Sequence, residues 1–370
     1  MIVAGVVRRG RAAARAARVR ARTRDWDDRS RLFVLGDALG WALDDEAAYV
    51  ATVARAAGYR LGPPSWARFA RRQVVFHTSH FAGLDPVWTG SSHRLGLAYF
   101  HGRPRTPGYP EFDHAFEALT RDPDRFARVQ VTHHEMEEIV VAAGVAPERV
   151  HRIPIGIELD AFPLGDCGRR SASREALGLP PDAFVVGSFQ KDGVGFGDGL
   201  EPKTIKGPDV LVDALRHVSR EVDDLVVLLT GPARGFVRRE LDRYGIRAVH
   251  RLLPGREGLT TAYHALDAYL VASRQEGGPK SILESMATGV PLVTTRAGQA
   301  PDLVVNGENG ILVDVEDAEA LAVGLLRVRA DAPLVARMRA AGRLTADQNS
   351  HACLAPRWNA LLDGFAERDG

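Results

Sequence analysis

Apolar runs alternate with helix-patterned segments along most of the chain from residue 31 onward. The runs are short and often β-branched, as buried strands are, whereas residues 44–58 have the spacing of an amphipathic helix. Strands are predicted at 31–36, 73–79, 95–101, 128–133 and 149–156, and then at 183–189, 224–231, 248–253, 267–273 and 291–295. This alternation predicts an α/β protein with doubly wound parallel sheets.

The chain has 370 residues, more than the roughly 250–300 over which one core usually extends. Residues 163–173 combine turn residues and charge with little periodicity, so we expect the linker between two domains there. The predicted organisation is a basic arm over 1–30, an N-terminal domain over 31–165 and a C-terminal domain over 172–349. Two such Rossmann-like domains would face each other across a cleft, where the carboxyl ends of the strands bind ligands.

Composition excludes several classes of protein. The net charge of +1 gives no general attraction to nucleic acid, and two cysteines make neither a disulfide framework nor a zinc site. No apolar run is long enough to span a membrane, and the N-terminus lacks the order of a secretory signal, so we expect a cytoplasmic protein. The oligomeric state is not indicated.

Eight arginines and no acid lie between Arg8 and Arg24. One interpretation is a surface helix that touches anionic lipid at the inner face of the membrane. The other is a solvated arm, which we favour because the opposite helix face is mostly alanine.

The segment "EGGPKSILE" places Glu276 in the loop after a predicted strand and Glu284 in the helix that follows. Proline suits the first turn of a helix, and Gly289 is suited to end it. A glycine-lined helix start suits a phosphate, and carboxylates beside it accept hydrogen bonds from hydroxyl groups. A nucleotide diphosphate sugar carries both kinds of group, although ordinary helix capping explains this segment alone equally well.

A second basic helix start supports the diphosphate interpretation. Lys206 and Gly207 precede a helix that opens with Pro208, where a lysine opposes the helix dipole unless an anion binds. The glycines of 193–199 do not open a helix directly after a strand, as those of a dinucleotide-binding loop do. We expect either a flexible loop that closes on the donor or a plain surface loop there.

Three segments carry a resemblance to a known family. They are "SRQEGGPKSILESMATGVPLVTT", "IPIGIELDAF" and "TIKGPDVLVDAL". Together they resemble family-4 retaining glycosyltransferases, also described as glycosyl transferases group 1, which have the two-domain glycosyltransferase B fold. The resemblance implies that residues from about 350 to 370 return to the N-terminal domain.

The resemblance also implies roles for matching positions. Glu284 would hold the ribose hydroxyls, Glu276 the hydroxyls of the donor sugar, and Lys206 the diphosphate and the leaving group. His101 matches a histidine near the reacting sugar. Lys191 would replace an arginine of the family, at a shifted position. The remaining donor-binding positions are Gly277, Gly278, Lys280, Ser281 and Ile282, together with Gly40 in the loop after the first strand.

We therefore expect the protein to transfer a sugar to an acceptor hydroxyl group of a bacterial glycan, glycolipid or metabolite. A UDP-sugar is the donor that we expect first, and GDP-mannose is the second candidate. No cofactor or metal is expected, because the Asp-x-Asp pairs at Asp25/Asp27 and Asp122/Asp124 do not follow predicted strands at a cleft edge. The alternatives are a sugar-nucleotide epimerase or hydrolase of the same fold, and a non-catalytic partner subunit.

Overall fold

A computed structural model of the chain describes residues 14–37, 42–195, 197–253 and 255–368. The chain divides into two compact units, the first formed by Met1–Ile153 with Ala355–Gly370 and the second by Pro154–Leu354. The observed boundary thus lies before the linker predicted at 163–173. Ile157 and Phe162 are buried in the core of the second unit, so the chain has joined that unit well before residue 165.

The first unit contains a parallel sheet in the order β1-β2-β3-β4-β5. Its strands are β1 (Leu32–Leu35), β2 (Val74–His77), β3 (Arg94–Tyr99), β4 (Phe126–Val131) and β5 (Val150–Arg152). The strand predicted at 149–156 ends at Arg152, because Pro154 has no N–H group to give to the sheet. Leu61 forms a parallel bridge with Leu32 on the outer side of β1, so the chain order reverses there.

Helical segments of the first unit pack on both faces of this sheet. They are α1 (14–22), α2 (Ala42–Ala56), α3 (His80–Gly83), α4 (Pro86–Thr89), α5 (Pro110–Arg121) and α6 (His134–Ala142). Leu119 and Met136 join the core on one face. On the other face, the Trp358 ring lies 5.6 Å from the Phe76 ring, so the C-terminal segment returns to this unit.

The second unit contains a parallel sheet in the order β11-β10-β9-β6-β7-β8. Its strands are β6 (Phe184–Ser188), β7 (Leu225–Thr230), β8 (Arg247–Arg251), β9 (Ala268–Val271), β10 (Leu292–Thr295) and β11 (Ile311–Val313). The short β11 was not predicted. The chain runs outward from β6 to β8 and then returns to the other side of β6 as β9. The predicted doubly wound α/β class is confirmed, and its switch point in this unit lies between β6 and β9.

The helices of the second unit cover both faces of its sheet. They are α7 (Cys167–Leu177), α8 (Pro208–Val218), α9 (Gly235–Arg243), α10 (Gly255–His264), α11 (Lys280–Thr288), α12 (Ala300–Leu303), α13 (Ala318–Ala330), α14 (Ala332–Gln348) and α15 (His351–Leu362), the last of which continues into the first unit. The prediction that α11 ends at Gly289 is confirmed. Gly289 has φ +76°, and the Val290 N–H group donates back to the Ser285 carbonyl, which closes the helix.

Candidate functional site

The carboxyl ends of β6 and β9 are neighbours in the second sheet, and the predicted donor-site residues follow them. β6 leads into the loop of Lys191, and β9 leads into the loop of Glu276. Ligands of doubly wound sheets bind at such a switch point. The sheet order, which the sequence did not specify, therefore brings two distant stretches of the chain to one place.

Glu276 is held by two side chains at the end of β9. Its side chain is 6% exposed and forms an ion pair with Lys206, while its other carboxylate oxygen accepts a 2.7 Å hydrogen bond from the Ser273 hydroxyl. The Ser273 hydroxyl also lies 3.0 Å from the side-chain oxygen of Gln190. Sequence reasoning assigned Lys206 and Glu276 to different parts of a donor, and it missed both their direct contact and the two supporting residues.

Lys206 belongs to a short turn that lies against the loop after β9. The Arg274 and Gln275 N–H groups both donate to the Ile205 carbonyl, at 2.9 and 3.0 Å. Gly207 ends the turn with φ +60°, and a β-carbon on it would lie 1.9 Å from the Ala272 carbonyl oxygen. Only glycine allows this approach, so the glycine next to Lys206 fixes where the lysine meets Glu276.

Glu284 lies in α11 above a cluster of buried aromatic side chains. It accepts a 2.8 Å hydrogen bond from the Tyr263 hydroxyl. Burial first, and then the Glu284 charge, raise the pKa of Tyr263, so its proton stays available for this bond. The rings of Phe189 and Tyr269 pack 4.8 and 5.1 Å from the Tyr263 ring, and burial raises the pKa of Tyr269 to about 12.

Tyr263 had a sequence signal that we did not use. A buried tyrosine usually finds a hydrogen-bond partner for its hydroxyl group, so a tyrosine on the buried face of a helix points to a nearby polar group. The Tyr263 hydroxyl holds the Glu284 carboxylate in one orientation, which is what recognition of a hydroxyl-bearing ligand requires.

The start of α11 carries the positions expected to meet a phosphate. Pro279 stands at the N-cap position, where its own side chain makes no capping hydrogen bond, and Lys280 begins the helix. Gly277 and Gly278 lie between Glu276 and this start, and Ser281 follows in the first turn. Ile282 departs from expectation, because its side chain is fully buried and its N–H group already donates to the Pro279 carbonyl.

The end of the glycine-rich loop at 193–199 is bonded to the start of α9. Its Asp198 and Gly199 carbonyls accept hydrogen bonds from the first N–H groups of α9, at 2.6 and 2.9 Å. At its base, Asp192 is buried and lies 2.9 Å from the buried guanidinium of Arg234. Burial raises the pKa of Asp192 despite this neighbour. These contacts tie the loop that follows Lys191 to the end of the sheet.

His101 belongs to the first unit, directly beyond β3. Its ring lies among aromatic rings, 5.5 Å from those of both His80 and Phe112. Burial holds the pKa of His80 well below its usual value. Arg103 pairs with Glu135, whose pKa is lowered by a hydrogen bond from His133 and by Arg103. The role of His101 near the reacting sugar stays a prediction, and sequence reasoning did not consider the Arg103–Glu135 pair.

Gly40 lies outside the described residues. Among the residues that are described, no group of three or more His, Cys, Asp or Glu side chains has an arrangement that could hold a metal ion. In the same part of the chain, no helix has the length and apolarity that a membrane span requires. The expectation that no metal is needed stays a prediction.

Comparisons with known proteins bear on the family to which the second unit is related. Residues 200–345 match the family described as glycosyl transferases group 1. The chain is 35% identical over 230 residues to a D-inositol 3-phosphate glycosyltransferase of Xylanimonas cellulosilytica, covering 59% of this chain and 52% of the relative. It is 33% identical over 289 residues to D-inositol 3-phosphate glycosyltransferase 2 of Catenulispora acidiphila, covering 70% and 63%. The chain thus spans little more than half the length of these relatives.

Solved structures agree on the fold. Anabaena Alr3699/HepE, crystallised in complex with UDP-glucose, superimposes with a TM-score of 0.73 at 18% identity over 90% of this chain and 99% of that chain. Sucrose-phosphate synthase of Thermosynechococcus elongatus gives a TM-score of 0.69 at 18% identity over 90% and 98%. The fold class is that of two-domain glycosyltransferases. The family resemblance is confirmed, and residues 200–345 form a glycosyl transferases group 1 domain.

Proposed function

We propose that this protein is a retaining glycosyltransferase that moves a sugar from a nucleotide diphosphate to an acceptor hydroxyl group. One observation carries the proposal: Lys206, Glu276, Glu284 and the start of α11 lie close to the switch point of the second sheet. A UDP-sugar is the first donor to test and GDP-mannose the second. The structure of Alr3699/HepE with UDP-glucose supports that order.

The proposed roles follow from charge and hydrogen-bonding capacity. Glu284, oriented by Tyr263, accepts hydrogen bonds from the ribose hydroxyls of the donor, and Glu276 accepts those of the sugar. The diphosphate is faced by Lys206, Lys191 and the N–H groups at the start of α11. The Ile282 N–H group takes no part, because it already donates to the Pro279 carbonyl. These cationic and dipolar groups stabilise the charge that grows on the diphosphate as the sugar leaves, which is usually the largest catalytic contribution.

On the acceptor side we propose that His101 and the loop of Gly40 contribute from the first unit. The relatives are named for D-inositol 3-phosphate, so inositol phosphates are among the acceptors to test, beside glycan and glycolipid hydroxyls. We propose that the reaction needs no metal, because the lysines and the helix start supply positive charge to the diphosphate.

Contact with a membrane is also proposed for the basic arm. In α1 the side chains of Arg15, Arg18 and Arg20 are exposed, while Val19 is buried and Arg22 lies over the Trp66 ring at 5.9 Å. The exposed arginines of this helix suit attraction to anionic lipid headgroups at the inner face of the membrane.

A thermal-shift panel with UDP, GDP, ADP and TDP tests the donor site. One nucleotide at 100 times its dissociation constant should add about 2.7 kcal/mol of stability. Glu284→Gln should abolish that gain, whereas Glu319→Gln, at an exposed position on α13, should retain it. Addition of EDTA should change nothing. If no nucleotide stabilises the folded wild-type protein, the proposal fails and a non-catalytic partner subunit becomes the better interpretation.

A second assay separates transfer from hydrolysis and epimerisation. The nucleotide sugar that the panel supports is incubated with and without a mixture of acceptors that includes inositol phosphates. A transferase releases nucleotide faster when an acceptor is present and forms a glycoside with the donor's anomeric configuration. Equal release without an acceptor, with free or epimerised sugar as product, identifies the alternative enzyme class.

A further inference from the structure

Gln299 lies where three segments of the second unit meet. It directly precedes α12 and is fully buried. Its neighbour Gly298 has φ +59°, and a β-carbon there would lie 2.7 Å from the β-carbon of Glu276. A β-carbon on Gly278 would lie 2.9 Å from the Gln299 side-chain oxygen and 3.0 Å from Ile155. Gln299 therefore touches the loop that carries Glu276 and also the segment that contains Ile155.

The orientation of the Gln299 amide is fixed by its partner. The Ile155 N–H group donates to the Gln299 side-chain oxygen at 3.1 Å. Since a backbone N–H group can only donate, the oxygen faces Ile155 and the side-chain nitrogen points away from it. That nitrogen is buried and has no hydrogen-bond partner among the described residues. A buried, unpaired donor is costly and marks a place where the surroundings rearrange or a partner arrives.

Ile155 belongs to the segment by which the chain enters the second unit. We call residues 154–157 the crossover segment, because the first unit ends at Ile153. Ile157 is bonded to the returning chain: its N–H group donates to the Asn349 carbonyl, and its carbonyl accepts from the His351 N–H group. A β-carbon on Gly156 would lie 2.7 Å from Leu354, the last residue of the second unit. The Gln299 amide thus holds the crossover segment, and the crossover segment is itself bonded to the returning chain at Asn349 and His351.

We propose that Gln299 is a positioning residue that sets the conformation of the Glu276 loop and of the crossover segment together. The inference rests on the proposed function, because it assigns the Glu276 loop to the donor sugar. When a nucleotide orders the loop at 276–278, contact through Gln299 orders residues 154–157 as well. Binding at the switch point is thereby transmitted to the segment by which the chain enters the second unit.

Hydrogen exchange measured by mass spectrometry on the full chain tests this coupling. The probe is UDP, or the nucleotide that is effective in the thermal-shift panel. In the wild-type protein, saturating nucleotide should slow exchange at least threefold both in peptides over 276–284 and in peptides over 154–157. In Gln299→Leu the first response should remain, while the second should fall below a quarter of its wild-type size.

Two further variants separate coupling from loss of stability. Gln299→Glu keeps an oxygen for the Ile155 N–H group and serves if the leucine variant does not fold; it loses the nitrogen donor and should also weaken the response at 154–157. Asn309→Leu is the matched control, since Asn309 is a buried amide that accepts the Val305 N–H group at 2.8 Å. This control should keep both responses.

The outcomes are distinct. Protection over 276–284 without protection over 154–157 in the wild-type protein overturns the role of Gln299 and leaves the proposed function standing. If nucleotide slows exchange at 154–157 equally in the wild-type protein and in both Gln299 variants, the role of Gln299 is likewise overturned and the proposed function still stands. No protection over 276–284 with any nucleotide overturns the donor site, and the coupling with it.

Discussion

The His77 imidazole lies at the carboxyl end of β2, is 1% exposed, and packs with its ring 4.8 Å from the Trp88 ring. Neither ring nitrogen has a hydrogen-bond partner among the described residues. Burial first, and then the nearby His93, lower the pKa of His77 to about 4. Acidification from pH 7.5 to pH 5 should therefore destabilise the first unit.

The sign and size follow from proton linkage. The folded pKa lies below the unfolded value of about 6.5, so between these values the unfolded chain binds more protons at His77 than the folded chain does. The stabilisation is fully present above about pH 6.5 and is lost as the pH falls towards 4. The difference of about 2.5 between the folded and unfolded pKa values of His77 corresponds to about 3 kcal/mol of folding stability in full. About 2 kcal/mol of this stability is lost by pH 5. The pKa of the buried His80 is lowered too, which adds loss in the same direction.

Tryptophan fluorescence measures this unit by itself. All five tryptophans, at positions 26, 41, 66, 88 and 358, belong to the first unit. Urea unfolding at pH 7.5 and pH 5, followed by this signal, gives the free energy of unfolding of the unit at each pH. The same measurement on His77→Leu, a substitution of similar volume, removes the titrating group.

The comparison of pH dependences decides the outcome. His77→Leu should lose about 2 kcal/mol less than the wild-type protein between pH 7.5 and pH 5. His114→Asn, at an exposed position on α5, should retain the wild-type loss. If the wild-type protein and His77→Leu lose stability equally, to within about 0.5 kcal/mol, the assignment of a buried neutral base to position 77 is refuted.

Further predictions concern the second unit. Gly207→Ala should destabilise the folded protein by about 2 kcal/mol or more and weaken nucleotide binding, because the added β-carbon meets the Ala272 carbonyl. Gly245→Ala is the control, since Gly245 has φ +69° but no atom lies near its β-carbon. Measured by thermal unfolding, it should cost only about 1 kcal/mol. Arg174→Met should destabilise by about 3–5 kcal/mol in calorimetry, because it breaks the pair between the buried Arg174 guanidinium and the partly buried Asp267, while loss of the exposed Arg169–Asp166 pair should cost far less. Equal losses of stability for Gly207→Ala and Gly245→Ala would contradict the first prediction. Equal losses for Arg174→Met and for removal of the Arg169–Asp166 pair would contradict the second. Tyr263→Phe should raise the nucleotide dissociation constant about tenfold in titration calorimetry, since Glu284 loses the donor that orients it, and an unchanged constant would exclude that role.

The positions of several elements were predictable because local features decide them. α11 forms over the predicted residues, since Pro279 precedes its first turn and Gly289 adopts the left-handed conformation that ends it. Pro208 opens α8 in the same way. The boundary between the units was not predictable from turn residues. The residues of 163–173 have little periodicity, but Arg174 beyond them is bound to the second unit by Asp267 and four carbonyl groups.

The sequence by itself determined the class of the fold, the family resemblance, and which residue types stand at the helix starts and strand ends of the second unit. Those features depend on neighbours in the chain: hydrophobic period, capping residues and glycines. The tertiary structure alone decided that β6 and β9 are adjacent, and hence that Lys206 meets Glu276, that Tyr263 orients Glu284 and that Gln299 reaches Ile155. Each of these contacts joins residues at least 21 positions apart. They depend on the order in which strands pair, which is fixed by the packing of the whole unit and not by any local pattern.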